Sequence, residues 1–334
     1  MKNSTLAVMV LTWNDWKNTA SCLDSVFKNT YNKFDIFLID NNSNEINLNR
    51  IIQWCKKKNV IINEINSKSA VKIIGKKNFY LLKLKEIPAN IRYAINAGAT
   101  AAYNRGIKIA LRSNYDFVLK VDCDLILTPN FIKGMVETLQ INNDYVAASP
   151  KVFYWIKKKT KIIWWKHFAL SRNYVRFQRT GGMDRRTKDT SKLKGIILTD
   201  AVCGACVMYK TSILKKIGLP DEEFFFGPED IEISQRIRKY GKLLTVNLNY
   251  HIYHKVSQSI YVSGIKSRIY YETLGWLVLI KKLSNHTDKF LGYSFFILRS
   301  TIHLFRLLYK KDKDRHIGFI LGVKDFMFNK HLLK

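Results

Sequence analysis

Short apolar runs alternate with helix-like segments through the first 150 residues of the chain. A polar turn follows the first run, and Asn14 or Asp15 in it is a suitable cap for a helix. Residues 99–112 have helical spacing of apolar positions. The runs typical of buried strands are residues 5–12, 34–39 and 116–121. Strand–helix–strand alternation of this kind predicts an α/β fold with a mostly parallel sheet that binds ligands at the carboxyl ends of its strands.

The remainder of the chain is less regular. Residues 55–92 are rich in lysine and match no clean pattern, so we expect an irregular insertion with one strand at 91–95. From about residue 265 the apolar positions follow a helical period to the last residue. The pattern thus predicts an α/β domain over residues 1–262 and a helical region over 263–334.

Composition adds a strong positive charge to this picture. The 334 residues include 56 Lys or Arg and 26 Asp or Glu, a formal net charge of +30 that is densest over residues 151–197 and 281–334. Such an excess is typical of proteins that bind nucleic acid, an anionic membrane surface or a polyanionic substrate. Composition alone does not distinguish these three kinds of partner. The hydrophobic fraction of 47% excludes global disorder.

The chain also lacks several signals of export. No apolar run reaches the length of about 20 residues that a spanning helix needs. The first residues lack the sections of a signal peptide, and the five cysteines are too scattered for a disulfide framework. We therefore expect an unprocessed cytosolic protein with reduced thiols, including core cysteines at Cys203 and Cys206.

Two acidic pairs carry most of the candidate chemistry. Asp122 and Asp124 follow a predicted strand, and alternate residues of an extended chain point the same way, so they can share a hard divalent cation. Glu229 and Asp230 follow Gly227-Pro228 at the start of a predicted helix, where the helix dipole favours an ionised carboxylate suited to general-base work. Solvated turn acids and ordinary acidic residues at a helix start are the alternative interpretations of the two pairs.

Two weaker signals lie elsewhere. His254 ends a strand-like run, and His251 would face the opposite side of that strand, so the two are not expected to act as a pair. A lone histidine is more often structural than a ligand. Asn96-x-Gly98 and Asn104-x-Gly106 flank the start of the helix at 99–112, where small residues and free amides suit a phosphate.

Taken in order, these segments resemble the motifs of family-2 inverting glycosyltransferases of GT-A fold, especially rhamnosyltransferase-like members. The matching segments are VLTWN at 10–14, IDNNS at 39–43, NAGATAAYNRGI at 96–107, VDCD at 121–124, the run from Gly204 to Lys242 and HKVSQS at 254–259. Several motifs in a fixed order over residues 5–260 are far more specific than any one of them.

The resemblance implies a role for each matching residue. Asp230 corresponds to the catalytic base, with Glu229 beside it. Asp122, Asp124 and His254 correspond to a site for Mg²⁺ or Mn²⁺ bridging a diphosphate. The residues that correspond to the nucleotide-sugar site are Thr12, Trp13, Asn14, Asp40, Asn41, Asn96, Gly98, Asn104 and Asp122.

The resemblance also implies a reaction and partners. Residues 1–125 would bind a nucleotide-diphosphate sugar, and residues 126–262 would bind the acceptor, a glycan or lipid-linked glycan in cell-surface polysaccharide synthesis. The basic helices of 263–334 would rest on the anionic inner face of the cell membrane, and no nucleic acid is expected. A sugar nucleotidyltransferase is a weaker alternative because the chain lacks its phosphate loop, and a nucleic-acid-binding protein is weaker because no recognition motif is present.

Overall fold

A computed structural model describes residues 4–330 except for 90, 157, 167–187, 190–193, 257, 283–285 and 311. Strands and helices alternate through the first half, and helices alone form the last part. The strands are β1 (Leu6–Thr12), β2 (Phe34–Asn41), β3 (Ile62–Ile65), β4 (Phe79–Leu84), β5 (Phe117–Asp122), β6 (Leu125–Leu127), β7 (Tyr145–Ile156), β8 (Lys158–Trp165), β9 (Ile196–Thr199), β10 (Cys206–Lys210) and β11 (Leu243–His254). The helices are α1 (Trp16–Phe27), α2 (Glu45–Lys57), α3 (Ala99–Arg112), α4 (Phe131–Ile141), α5 (Thr211–Ile217), α6 (Glu229–Lys239), α7 (Gln258–Lys282), α8 (His286–Lys310) and α9 (Lys313–Met327).

The strands form one twisted sheet in the order β3-β4-β2-β1-β5-β10-β7-β11-β6, with β8 and β9 on side branches. The first five strands in this order are parallel, whereas β10 is antiparallel to both β5 and β7. The carboxyl ends of β1, β2 and β5 therefore meet at one edge of the sheet. The structure confirms the predicted α/β class and its parallel half.

The apolar runs are continuous because these strands are buried on both faces. All eight residues of β2 are buried. Along β1, Leu6, Val8 and Val10 pack into the core on one side, while Ala7 and Met9 pack into the core on the other. Helix α1 contributes to the first of these cores and α3 to the second, so helices cover both faces.

Several local predictions are confirmed. The helix at 99–112 has the predicted bounds, and Asp15 caps α1 by accepting from the Asn18 amide. The strand predicted at 116–121 is β5, shifted by one residue. Free cysteines fit the expectation of reduced thiols, and Cys203 and Cys206 lie in the core.

The interpretation of residues 55–92 as an irregular insertion is wrong. It contains the end of α2 and the strands β3 and β4, which extend the parallel sheet beyond β2. The strand predicted at 91–95 is also wrong, because this segment forms turns in which Ile91 packs against α7. Arg92 there binds both carboxylate oxygens of Asp325 at 2.6 and 2.9 Å, so a tertiary ion pair decides its course.

The carboxyl-terminal helices pack directly on the α/β part. Tyr270 and Tyr271 of α7 share a core with Phe224 and with Ile231 of α6. Tyr271 Oη also donates to the Arg92 carbonyl oxygen at 3.0 Å. Within the described ranges, no helix is long and apolar enough to cross a membrane. Most of the basic segment 151–197 lies outside the described residues.

Candidate active site

Asp122 lies at the carboxyl end of β5, where the parallel part of the sheet ends. Its Oδ1 accepts a hydrogen bond of 2.8 Å from Tyr103 Oη on α3. Burial is the main reason why the pKa of Asp122 is raised to about 6, and the negative charge of Asp124 raises it further. The positive charge of Lys120 acts in the opposite direction. A nearby cation would stabilise the ionised form of a carboxyl group in this environment.

Asp124 and His254 meet because β6 pairs antiparallel with β11, which sets His254 opposite Leu125. His254 Nε2 lies 3.1 Å from Asp124 Oδ1. Burial disfavours both charges, but the attraction between the two groups outweighs it, so the pKa of Asp124 is lowered and that of His254 is raised. The Trp164 ring meets the His254 imidazole edge-on, with centroids 4.3 Å apart.

Asp122, Asp124 and His254 carry oxygen and nitrogen atoms of the kinds that bind divalent metals. Nowhere in the described residues are three His, Cys, Asp or Glu side chains grouped so that they could hold a metal ion alone. His254 Nδ1 is buried with no hydrogen-bond partner in the described part of the chain. Mg²⁺ is typically bound by one or two carboxylates together with substrate phosphates, and carboxylates also suit Mn²⁺. Asp122, Asp124 and His254 fit such a shared site.

The second acidic pair begins α6, as the sequence predicts, and its two members differ in their partners. Glu229 Oε1 lies 3.0 Å from Lys120 Nζ, and the two side chains are only 10% and 12% exposed. Asp230 accepts hydrogen bonds from the Gly204 amide at 3.1 Å and from the Ile231 amide at 2.9 Å. Glu229 is thus neutralised by a cation, whereas Asp230 is held by backbone amides.

This difference sets the protonation of Asp230. Burial and the charge of Glu229 raise the pKa of Asp230 to about 7, although Lys120 and the two amides act in the opposite direction. A carboxylate with a pKa near neutrality is suited to accept a proton in one step and release it in the next. A small pocket lined by Tyr103, Lys120, Glu229 and Asp230 opens beside it.

Gly204 is required for this arrangement. A Cβ at this position would lie 2.8 Å from Asp230 Oδ2, so a larger residue would displace either this carboxylate or the backbone before β10. The absence of a side chain lets the backbone amide approach close enough to donate.

The end of β1 supplies the first part of the predicted nucleotide site. Thr12 is buried and shares a hydrogen bond of 2.7 Å with Thr19. Trp13 follows it and is partly exposed. The Asn14 amide donates to Ser43 Oγ at 2.9 Å, and Asn14 Oδ1 accepts from the Asn44 amide at 2.8 Å. The turns after β1 and β2 are therefore tied together.

The end of β2 joins this site to the loop before α3. Asp40 is buried, its pKa is raised by that burial, and its Oδ1 has no hydrogen-bond partner among the described residues. Asn41 accepts from the Ala97 amide at 3.0 Å and donates to the Gly98 carbonyl oxygen at 3.3 Å. Asn96 Oδ1 in turn accepts from the Gly98 amide at 2.9 Å. An unsatisfied carboxylate oxygen beside an ordered loop suits the polar groups of a ligand.

Asn104 lies apart from these strand ends. Its Nδ2 donates to the Pro220 carbonyl oxygen at 2.7 Å and to Glu222 Oε1 at 3.1 Å. The side chain thus contacts the segment that leads to α6, and its role in donor binding stays a prediction. His251 faces away from His254, as expected, and contacts Tyr253 and Phe153.

Three residues of the site were missed by sequence reasoning. Lys120, Tyr103 and Trp164 hold Glu229, Asp122 and His254 respectively. The lysine could have been noticed, because a cation within the apolar strand run DFVLKV must have a partner when it is buried. The two aromatic residues have no comparable signal, since aromatic residues are common in cores.

A family model and one curated relative match parts of this chain. Residues 81–218 match the family "Glycosyl transferase family 2". A stretch of 176 residues is 25% identical to a hyaluronan synthase from Pasteurella multocida, covering 47% of this chain and 17% of that protein. The chain therefore spans less than a fifth of the length of this curated relative.

Solved structures with the same fold include three glycosyltransferases. GalNAc-T7 with UDP, GalNAc and Mn²⁺ aligns with a TM-score of 0.56 at 16% identity, over 82% of this chain and 48% of that one. The mannosyltransferase PcManGT from Pyrobaculum calidifontis, with GDP-Man and Mn²⁺, aligns with a TM-score of 0.54 at 11% identity. The alignment covers 97% of this chain and 87% of that one. TarS from S. aureus aligns with a TM-score of 0.50 at 16% identity, over 88% of this chain and 43% of that one. The family match covers residues 81–218, and the chain shares the GT-A fold of these structures.

Proposed function

We propose that this protein is an inverting glycosyltransferase that moves a sugar from a nucleotide-diphosphate donor to an acceptor hydroxyl. The observation that carries the proposal is the state of Asp230. Its carboxylate is held by two amides, has a pKa near 7, and lies beside the Glu229–Lys120 pair. Strand β5 supplies both Lys120, which pairs with Glu229 next to the proposed base, and Asp122 of the candidate diphosphate site.

The proposed step needs one proton acceptor and no covalent sugar intermediate. Asp230 takes the proton of the acceptor hydroxyl while that oxygen forms a bond to the anomeric carbon. The bond from this carbon to the diphosphate oxygen breaks on the opposite face, which inverts the anomeric configuration. The amides of Gly204 and Ile231 orient the carboxylate, and Lys120 offsets the charge of Glu229.

Asp122, Asp124 and His254 would hold Mg²⁺ or Mn²⁺ together with the donor diphosphate. A divalent ion bound there stabilises the negative charge on the departing phosphate oxygen. The residues proposed to contact the rest of the donor are Thr12, Trp13, Asn14, Asp40, Asn41, Asn96, Gly98 and Asn104. The motifs resemble those of rhamnosyltransferase-like members, so rhamnose is one of the donor sugars to screen, with galactose, glucose and galactofuranose.

We further propose that the acceptor is a glycan or lipid-linked glycan in cell-surface polysaccharide synthesis, used at the cytoplasmic face of the membrane. Residues 281–334 hold 12 basic and 4 acidic side chains. Apolar side chains on α8 and α9 are exposed, among them Phe290 at 70%, Ile297 at 64% and Met327 at 70%. Exposed apolar residues beside basic ones support contact with an anionic lipid surface.

The test combines a donor screen with one substitution. Nucleotide sugars are first screened by thermal shift with Mn²⁺, and transfer is then assayed with the donor that binds. We expect Asp230→Asn to abolish transfer and to leave donor affinity within about twofold, because the base acts only in the chemical step. Asp144→Asn, a surface acid paired with Lys242, is the matched control and should keep full activity.

The outcomes separate the alternatives. Equal loss of transfer and of donor binding in Asp230→Asn would contradict its assignment as the base. Release of inorganic diphosphate rather than a nucleoside diphosphate would indicate a nucleotidyltransferase. A shift of random-sequence RNA or DNA in a gel at physiological salt would support the nucleic-acid alternative.

A further inference from the structure

Three consecutive acids lie in the segment that leads to the proposed base, and helices on two sides neutralise them. Asp221, Glu222 and Glu223 follow one another, six to eight residues before the start of α6. Arg105 of α3 binds both oxygens of Glu222, at 2.9 and 3.1 Å. Lys282, the last residue of α7, lies 2.7 Å from Asp221 Oδ2 and 2.6 Å from Glu223 Oε2.

Close packing continues from this acidic segment towards the active site. Phe225 stacks on Tyr271 of α7 with ring centroids 4.5 Å apart. The Phe225 carbonyl oxygen accepts from the Ala99 amide at 3.0 Å, and a Cβ at Gly98 would lie 2.7 Å from the Phe225 ring. The segment thus touches the donor-side loop at 96–98 on one side and α7 on the other.

A second glycine brings α7 against the start of α6. A Cβ at Gly275 would overlap the carbonyl oxygen of Gly227, two residues before Glu229. Ile231 of α6 belongs to the same core as Leu274 and Val278. The position of Asp230 therefore depends on where α7 holds residues 221–228.

Lys282 makes the charged contact between α7 and this segment. Asp221 and Glu223 repel each other, and the ammonium group between them offsets both charges. The pair is only partly shielded, with 31% of the lysine side chain exposed, so its direct effect on stability is small. Its effect on geometry is larger, because a displacement of about 1 Å at a reacting group can cost up to about a hundredfold in rate.

We propose that Lys282 is a positioning residue for sugar transfer, which holds residues 221–228 so that Asp230 faces the acceptor. This inference rests on the proposed function. It makes the helical region after residue 262 part of the transfer machinery, in addition to any contact with lipid.

Neighbouring lysines provide a matched experiment. Lys281 is adjacent but contacts α9 and the turn after it, through the Phe326 ring at 5.9 Å and Asn329 at 3.4 Å. We expect Lys282→Met to lower kcat about tenfold or more, Lys281→Met to leave it within about twofold, and Lys282→Arg to retain most of it. The affinity for the nucleoside diphosphate, measured by calorimetry with UDP or GDP and Mn²⁺, should change by less than about threefold in every variant.

Hydrogen exchange tests the same inference without turnover. We expect amides of residues 221–231 to exchange faster in Lys282→Met and in the double variant Asp221→Asn/Glu223→Gln, but not in Lys281→Met. Equal kcat in the two methionine variants, or unchanged exchange in Lys282→Met, would overturn the inference. Absence of transfer in the wild type would instead count against the proposed function, and the exchange comparison would still decide the role of Lys282.

Discussion

The pKa of Asp230 makes a direct prediction about the pH dependence of transfer. A general base must be ionised, so the rate is proportional to the ionised fraction of Asp230. With a pKa of about 7, that fraction is roughly 9% at pH 6 and 91% at pH 8. We therefore expect kcat to rise about tenfold between pH 6 and pH 8 and then to level off.

The direction of the shift can be tested with two variants of α6. Glu229→Gln removes the neighbouring charge that raises the pKa of Asp230 and leaves Lys120 without its carboxylate partner. Both changes favour the ionised form, so the midpoint of the profile should move to lower pH. Glu232→Gln, whose carboxylate pairs with Arg236, removes an acid from the same helix turn and should leave the midpoint in place.

The assay is the release of nucleoside diphosphate at saturating donor and Mn²⁺, from pH 5.5 to 8.5. Under saturation, kcat reports on groups in the enzyme–substrate complex rather than in the free enzyme. An Asp with an ordinary pKa near 3.9 would be more than about 99% ionised at pH 6 and would give a flat profile. A flat profile, or an equal shift in both variants, would refute the reasoning.

Three further predictions concern other parts of the structure. Gly204→Ala would place a methyl group 2.8 Å from Asp230 Oδ2, so kcat should fall at least about tenfold with nucleotide affinity unchanged by calorimetry. Asp325→Ala leaves Arg92 without its carboxylate partner, so the free energy of unfolding measured in urea should fall by about 1–3 kcal/mol. An unchanged free energy of unfolding would mean that this ion pair does not stabilise the fold. Chelation should abolish transfer, and His254→Ala should raise the Mn²⁺ concentration needed for half-maximal rate, whereas full activity in excess chelator would remove the metal from the proposal.

Local patterns along the chain were sufficient for the elements with strong signals. The run at 5–12 and the helix at 99–112 are found as predicted, because burial on both faces and helical spacing each leave a direct trace in the sequence. Residues 55–92 were misinterpreted since β3 is short and mixed, and since β4 enters the sheet by pairing with β2, where Phe79 lies opposite Ile36. The turn at 91–95 has strand-like composition, but its course follows from contacts with α7 and α9.

In the candidate active site, the acidic residues could be predicted from the sequence but their partners could not. Asp122, Asp124, Glu229 and Asp230 could be found from the sequence because each pair lies next to an element with a clear pattern and matches one of the ordered motifs. The partner of each could not. Lys120 pairs with Glu229, which lies 109 positions later in the chain. His254 meets Asp124, 130 positions earlier, because β11 pairs with β6.

The sequence by itself determined the fold class, the two acidic pairs and the concentration of positive charge near the end of the chain, because each depends on residue type and local spacing. Only the tertiary structure decided which acid carries a counter-ion and which has a pKa near 7, since charge interactions depend on distance and burial. It also decided that α7 packs against the segment before Asp230. That contact joins residues about 50 positions apart, and no local pattern in the sequence records it.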